Sequence, residues 1–122
     1  MNTEAGQLAS QPGIAVPEMA AVFQALGDPV RVSVVQVLSR GPQRAGKLAE
    51  AAHLPASAMS KHLRVLLAAG LVTDERLADD ARLRVFRLRP QAMVAVQAWL
   101  DQVKAHWDEQ LLSFKRYAEQ AR

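Results

Sequence analysis

Apolar positions along this chain recur at two periods, and the switch between them marks out the elements. From Pro17, the residues Met19, Val22, Phe23 and Leu26 fall at helical spacing and stop at Gly27. Gly27-Asp28-Pro29 then punctuates the chain. A left-handed glycine can close one helix, aspartate can cap the next, and proline fits its first position without losing a needed N–H. The second helix is predicted to carry Val32, Val35 and Leu38 inward and to stop near Gly41-Pro42. A short third helix over about 44–52 has Leu48, Ala49 and Ala52 as its apolar side. His53-Leu54-Pro55 makes a tight connection, and a fourth helix over 55–69 places Met59, Leu63, Leu66 and Leu67 on one side. Two short helices joined in this way match a helix-turn-helix.

After Gly70 the period changes. Leu71–Leu77 and Arg82–Leu88 read as strands of a hairpin separated by Ala78-Asp79-Asp80-Ala81. The second strand alternates poorly, with Leu83 and Val85 on one face and Phe86 and Leu88 on the other, as a bulge or burial on both sides would produce. From Pro90 the helical period returns: Met93, Val96, Leu100, Val103, Trp107, Leu111, Phe114 and Ala118 are spaced 3, 4, 3, 4, 4, 3 and 4. This near-heptad runs roughly 37 Å at 1.5 Å per residue. So small a domain cannot cover the whole stripe, and a second copy of the chain is the simplest partner. The plainer reading is a core helix with a frayed end. Residues 1–16 show no period and are expected to be a flexible tail, leaving 17–122 as one domain. The predicted fold is mainly α with a small β-hairpin.

Composition narrows the chemistry. At 122 residues, half of them hydrophobic, the chain can build one modest core. No apolar run approaches the roughly 20 residues of a membrane span, and the N-terminus lacks a secretory pattern, so a cytoplasmic protein with no membrane association is expected. The absence of cysteine removes disulfides, thiolate metal sites and thiol catalysis. No glycine-rich phosphate loop or Ser-His-acid grouping is apparent, and the carboxylates are scattered, so an enzyme is not expected. No cofactor is implied.

The net charge of +3 says little, but its distribution says more. From Arg31 to Arg64 the chain holds Arg31, Arg40, Arg44, Lys47, Lys61 and Arg64 against the single acid Glu50, and Arg82, Arg84, Arg87 and Arg89 follow. Such clustering is the electrostatic footprint of a nucleic-acid binder. The fourth helix sharpens this, because Ser57, Ser60, Lys61 and Arg64 recur at i, i+3, i+4 and i+7 opposite its apolar side. Hydroxyls and cations on a rigid helix suit a DNA major groove. The bland alternative is a solvated surface face.

In these positions the chain resembles the ArsR-type family of winged-helix transcriptional repressors. The resemblance is carried by Ala25-Leu26-Gly27-Asp28-Pro29-x-Arg31, Lys47-Leu48-Ala49-Glu50, Ser60-Lys61-His62-Leu63-Arg64-Val65-Leu66, Ala69-Gly70-Leu71-Val72 and Phe86-Arg87-Leu88. All five stand in family order and cover about residues 17–118. The resemblance implies a winged helix-turn-helix with a long C-terminal dimerisation helix over about 90–120. It also implies a homodimer on a two-fold symmetric double-stranded DNA operator, and repression by blocking transcription. The expected DNA contacts are Ser57, Ser60, Lys61 and Arg64, with Arg44 and Lys47 from the preceding helix and Arg82 and Arg84 from the wing. Arg31 is expected either at a phosphate or in an internal pair. The expected dimer surface is Phe23, Leu26, Met93, Val96, Leu100, Val103, Trp107, Leu111 and Phe114.

The chain departs from its relatives in three places. His53 stands where they often have a turn glycine, Pro55-Ala56 where they often have Ser-Gln, and the wing tip is acidic at Asp79 and Asp80. Many members of the family release DNA on binding metal. The third helix here has no thiol for one common site, and Asp101-Gln102-Val103 lacks the histidine of another. His106 and Glu109, with Asp101 earlier, remain weak zinc candidates. His62 is expected to pack or meet backbone rather than ligate. Nothing in the sequence names an inducer. A rival function is a winged-helix protein-interaction module, for which the acidic wing tip is a point in favour.

Overall fold

The computed structural model of the chain describes residues 16–77 and 80–121, with side chains for 18–77 and 83–121. In order it contains α1 (Val16–Ala25), α2 (Pro29–Leu38), β1 (Gln43–Arg44), α3 (Ala45–Ala52), α4 (Ala56–Ala68), β2 (Val72–Leu77), β3 (Asp80–Leu88) and α5 (Pro90–Gln120). The expected tail lies outside the described residues except for Val16, and so do Ala78 and Asp79 of the wing tip.

The helices carry one small antiparallel sheet of order β1-β3-β2. β1 was not expected: Gln43 pairs with Phe86 and Arg44 with Val85, so Arg44 both ends a strand and caps the helix that begins at Ala45. Two residues carry no period, which is why the pattern is silent there. β1 also makes β3 the central strand. The poor alternation of β3 follows from that place and from a register shift between Arg76 and Leu77, where Arg76 faces Arg84 but Leu77 faces Asp80.

One core unites helices and sheet. Met19, Val22 and Ala25 of α1, Val34 and Leu38 of α2, Leu48 and Ala49 of α3, and Met59, Leu63 and Leu66 of α4 are buried together with Leu71, Val72 and Phe86. α2 presents Val34 and Leu38 to this core, while Val32 and Val35 are only half-buried. The helix sequence is valine at five of its ten positions, so an apolar period cannot select its inner face.

The junction of α1 and α2 is held by Asp28 and Arg31. Asp28 Oδ1 accepts from the backbone N–H of Val30 at 2.8 Å and of Arg31 at 3.4 Å, with Pro29 at the first helical position. Gly27 is not left-handed, contrary to expectation; positive φ occurs at Gly41, Gly70 and His53 among the described residues. Leu26 N–H donates to Val22 O at 3.0 Å and Gly27 N–H to Gln24 O at 3.2 Å, so the helix ends on ordinary right-handed turns. What Gly27 supplies is room, since a Cβ there would stand 3.3 Å from Gln24 O. The Arg31 guanidinium donates to Ala25 O through Nε and to Gln24 O at 3.4 Å, and its Nη1 lies 3.2 Å from His62 Nδ1 on α4. Of the two readings for Arg31, the structure shows the internal one. Its side chain is 17% exposed and ties three helices together.

The Asp28 carboxyl sits below its ordinary value. Burial pushes it up, but the N–H bonds from Val30 and Arg31 and the neighbouring charges of His62 and Arg31 outweigh that push. A carboxyl lowered in the folded state stabilises fully above its ordinary value of 3.8, and that contribution is lost as pH falls through the folded value beneath it.

α5 runs 31 residues, about 46 Å. Its first half leans on the core through Met93, Val96 and Trp99, and the Trp99 ring meets Phe23 edge-on at 4.9 Å. Beyond Val103 every residue from 104 to 121 is exposed, including Trp107 at 60% and Phe114 at 71%. The helix does not fray at the end of the core; it continues without one. Two predictions follow from the α1–α2 junction. Arg31→Ala should cost about 2 kcal/mol in urea denaturation with an unchanged m value, as expected for loss of several charge-assisted hydrogen bonds. Asp28→Asn should keep a capping acceptor yet flatten the loss of stability seen by thermal melts as the pH is lowered below 3.8.

Candidate nucleic-acid interface

The geometry of α4 is set at both ends by backbone bonds. α3 closes with His53 in the left-handed region at φ 55, where His53 N–H donates to Glu50 O at 3.2 Å and Leu54 N–H reaches back to Ala49 O at 3.0 Å. This double bond is a Schellman ending. It turns the chain into α4 where relatives often use glycine, and histidine tolerates the conformation better than most residues. α4 ends the same way, with Gly70 at φ 75, Gly70 N–H on Leu67 O and Leu71 N–H on Leu66 O, both 3.1 Å. Two such endings fix where α4 starts and how it hands over to the wing.

Between them α4 is divided lengthwise. Met59, Leu63 and Leu66 are buried, whereas Ser57, Ser60, Lys61 and Arg64 are all exposed. Neither Lys61 nor Arg64 has an ion-pair partner among the described residues, and the same holds for the exposed Arg44 and Lys47 beside them on β1 and α3. His62 is half-buried and stands against Arg31, which accounts for it without a ligand role. Pro55 occupies the cap of α4 with no side-chain bond, so the first N–H groups of the helix have no capping acceptor. Free N–H groups and the positive end of the helix dipole suit an anion.

The wing differs from expectation. Arg84 is not held out to solvent: its Nε and Nη2 both donate to Asp74 Oδ2, the former at 2.9 Å, and its guanidinium carbon lies 5.0 Å from the Phe86 ring centroid. Charge pairing across β2 and β3 depends on register, which the sequence pattern does not state. On the opposite face of the hairpin Arg87 pairs with Glu75 at 3.0 Å. The side chain of Arg82 lies outside the described residues. Arg76 was missed by the sequence reading because it follows two acids; it is exposed directly opposite Arg84.

On α5 the weak metal candidates divide: His106 and Glu109, three residues apart, lie about 60° from one another around the helix, whereas Asp101 stands away from His106. Asp101 accepts from Gln97 at 2.9 Å, and it lies five residues from His106, about 140° around the helix. Among the described residues no three His, Asp or Glu side chains gather where they could hold a metal ion. No described helix is long and apolar enough to cross a membrane.

A helix-turn-helix domain family model matches residues 26–75. The chain is 37% identical over 79 residues to the HTH-type transcriptional regulator Rv2034 of Mycobacterium tuberculosis, covering 65% of this chain and 71% of that protein. Its fold superposes with a TM-score of 0.72 on an ArsR-like transcriptional regulator from Rhodococcus sp. RHA1, at 31% identity, covering 84% of this chain and 92% of the other. This chain belongs to the ArsR family of transcriptional regulators. The homodimeric winged helix-turn-helix DNA-binding domain of Mb0332 from Mycobacterium bovis, a possible ArsR-family regulator, is similar at 27% identity and a TM-score of 0.59, covering 79% of this chain and 83% of that domain. In the family's terms, α3 and α4 are the helix-turn-helix, β2 and β3 the wing, and α1 with α5 the helices on which the resemblance places the dimer. On that surface Phe23, Leu100, Trp107, Leu111 and Phe114 are exposed, whereas Leu26, Met93, Val96 and Val103 are half-buried.

The His53 turn generates a test. His53→Gly should leave stability unchanged or raise it by up to about 1 kcal/mol, because relief of left-handed strain is offset by chain entropy. His53→Val, branched at Cβ, should lower it by more than about 1 kcal/mol in the same denaturation series.

Proposed function

We propose that this ArsR-family regulator is a homodimeric, sequence-specific DNA-binding repressor. The observation that carries the reading is α4 itself, a rigid helix whose buried half is core and whose exposed half bears Ser57, Ser60, Lys61 and Arg64. Two such helices in a dimer enter successive major grooves about 34 Å apart, one turn of the duplex. Lys61 and Arg64 are the residues to meet guanine, and the two serines meet base edges or phosphate. Arg44 and Lys47 hold backbone phosphate from β1 and α3. The uncapped N-terminus of α4 adds backbone N–H groups toward a phosphate, a role open to it because Pro55 supplies no competing side chain.

The exposed apolar stripe on α5 supports the dimer. Leu100, Trp107, Leu111 and Phe114 lie on one side of the helix, continuous with Phe23 on α1. Burying large aromatic and aliphatic side chains of this kind stabilises by roughly 1.5–3 kcal/mol each. A dimer covering its operator excludes polymerase by occupancy, which is repression without catalysis or cofactor. Its place of action is the cytoplasm, where the DNA is.

The test begins with selection of bound fragments from the source genome, followed by footprinting. Wild type should protect a two-fold symmetric site, and Lys61→Ala with Arg64→Ala should abolish protection while sedimentation still reports a dimer. Footprints unchanged by the double substitution would overturn the contact assignment. If wild type selects no fragment even at low salt, the protein-interaction alternative takes its place. Separately, Leu100→Glu with Val103→Glu should give monomers or unfolded chains in sedimentation; an intact dimer would move the interface elsewhere.

A further inference from the structure

Asp74 is the acid on the wing whose partner, Arg84, is a cation expected to hold phosphate. It sits on β2 opposite Phe86. Alternation along β3 puts Arg84 on the same face as Phe86 and Leu88, the face that further down the hairpin covers the core beneath α4. Arg84 is opposite Arg76, a like-charge pairing that alone would be unfavourable, and it leans diagonally to Asp74 instead. Two of its nitrogens converge on one oxygen, Asp74 Oδ2, and the guanidinium rests on the Phe86 ring. The two side chains remain 36% and 29% exposed, so this pair is reachable from solvent. The Glu75–Arg87 pair stands on the other face of the hairpin, at 54% and 58% exposure.

From this arrangement we infer that Asp74 is a positioning residue that competes with the DNA backbone for Arg84. Its carboxylate occupies the place of a phosphate oxygen, holding the guanidinium over Phe86 and cancelling its charge in the free protein. DNA gains Arg84 only by exchanging phosphate for Asp74, so Asp74 lowers affinity and reserves the wing contact for complexes in which a phosphate reaches that point. The inference rests on the DNA-binding reading and deepens it.

The test measures binding to a random-sequence duplex and to the selected operator fragment by fluorescence anisotropy across a salt series. Asp74→Asn keeps a hydrogen-bond acceptor for Arg84 and removes the charge. It should steepen the salt slope of the dimer by about 1.8, about 0.9 for one additional phosphate neutralised per protomer, and tighten binding about five-fold per protomer at 0.15 M salt. In an Arg84→Ala background the gain should fall to that of Glu50→Gln, an exposed acid with no ion-pair partner among the described residues, which measures the general effect of removing an acid. A salt slope unmoved by Asp74→Asn, or a gain that survives Arg84→Ala in full, overturns the inference. Should Asp74→Asn fail to fold, Asp74→Ser carries the same comparison. Failure of wild type to bind either duplex would instead defeat the DNA-binding reading, so the two failures are distinct.

Discussion

Everything in this molecule depends on the burial of one side of α4. Met59, Leu63 and Leu66 are almost completely removed from solvent, packed with Leu71, Val72 and Phe86 from the wing and with buried residues of the first three helices. At roughly 1.5–3 kcal/mol for each large side chain, those three residues bind the helix to the body of the domain. The consequence lies on the opposite side. Ser57, Ser60, Lys61 and Arg64 are carried by a backbone that cannot turn without opening the core, so a ligand meeting them does not have to order the helix.

Arg31 extends that constraint to the rest of the fold. Its guanidinium reaches the closing carbonyls of α1, the cap of α2 and His62 on α4, so α1 and α4 share one polar anchor. A basic residue two positions beyond an Asp-Pro cap looks in sequence like any cation beside a helix start. Its use is decided by His62, thirty-one residues later. Helix positions, the helix-turn-helix, the hairpin and the uncovered stripe on α5 could all be read beforehand because each repeats over several residues. β1, the inner face of α2 and the Arg84–Asp74 pair could not. A two-residue strand has no period, a valine-rich helix has no distinct apolar side, and a diagonal ion pair depends on a register shifted by the bulge between Arg76 and Leu77. Gly27 shows the same limit at one residue, since the pattern announces a glycine without saying whether conformation or space requires it.

Charge is sorted more sharply in three dimensions than along the chain. Arg44, Lys47, Lys61 and Arg64 on β1, α3 and α4 are exposed with no ion-pair partner among the described residues, whereas Arg84 and Arg87 on the wing each face an acid. A formal charge of +3 therefore understates the field in front of α4. Under the proposed function this sorting is a division of labour, in which the helix-turn-helix supplies the permanent attraction to DNA and the wing responds to local geometry.

The length of α5 sets the remaining scale. Residues 104–120 form helix with no core beneath them, and an isolated stretch of that length is marginal in water. Its aromatic and aliphatic side gains little from Lys104–Asp108, an exposed pair of the kind worth a few tenths of a kcal/mol. In the proposed dimer, order there is coupled to association, and the free energy of folding this half of the helix is shared with the free energy of dimerisation. Because Phe23 and Trp99 join α1 to the start of α5, the same association also fixes how each body sits against its partner. In that proposed dimer the distance between two α4 helices is a property of α5 pairing, and any change in that pairing alters half-site spacing before it touches a residue proposed to read DNA.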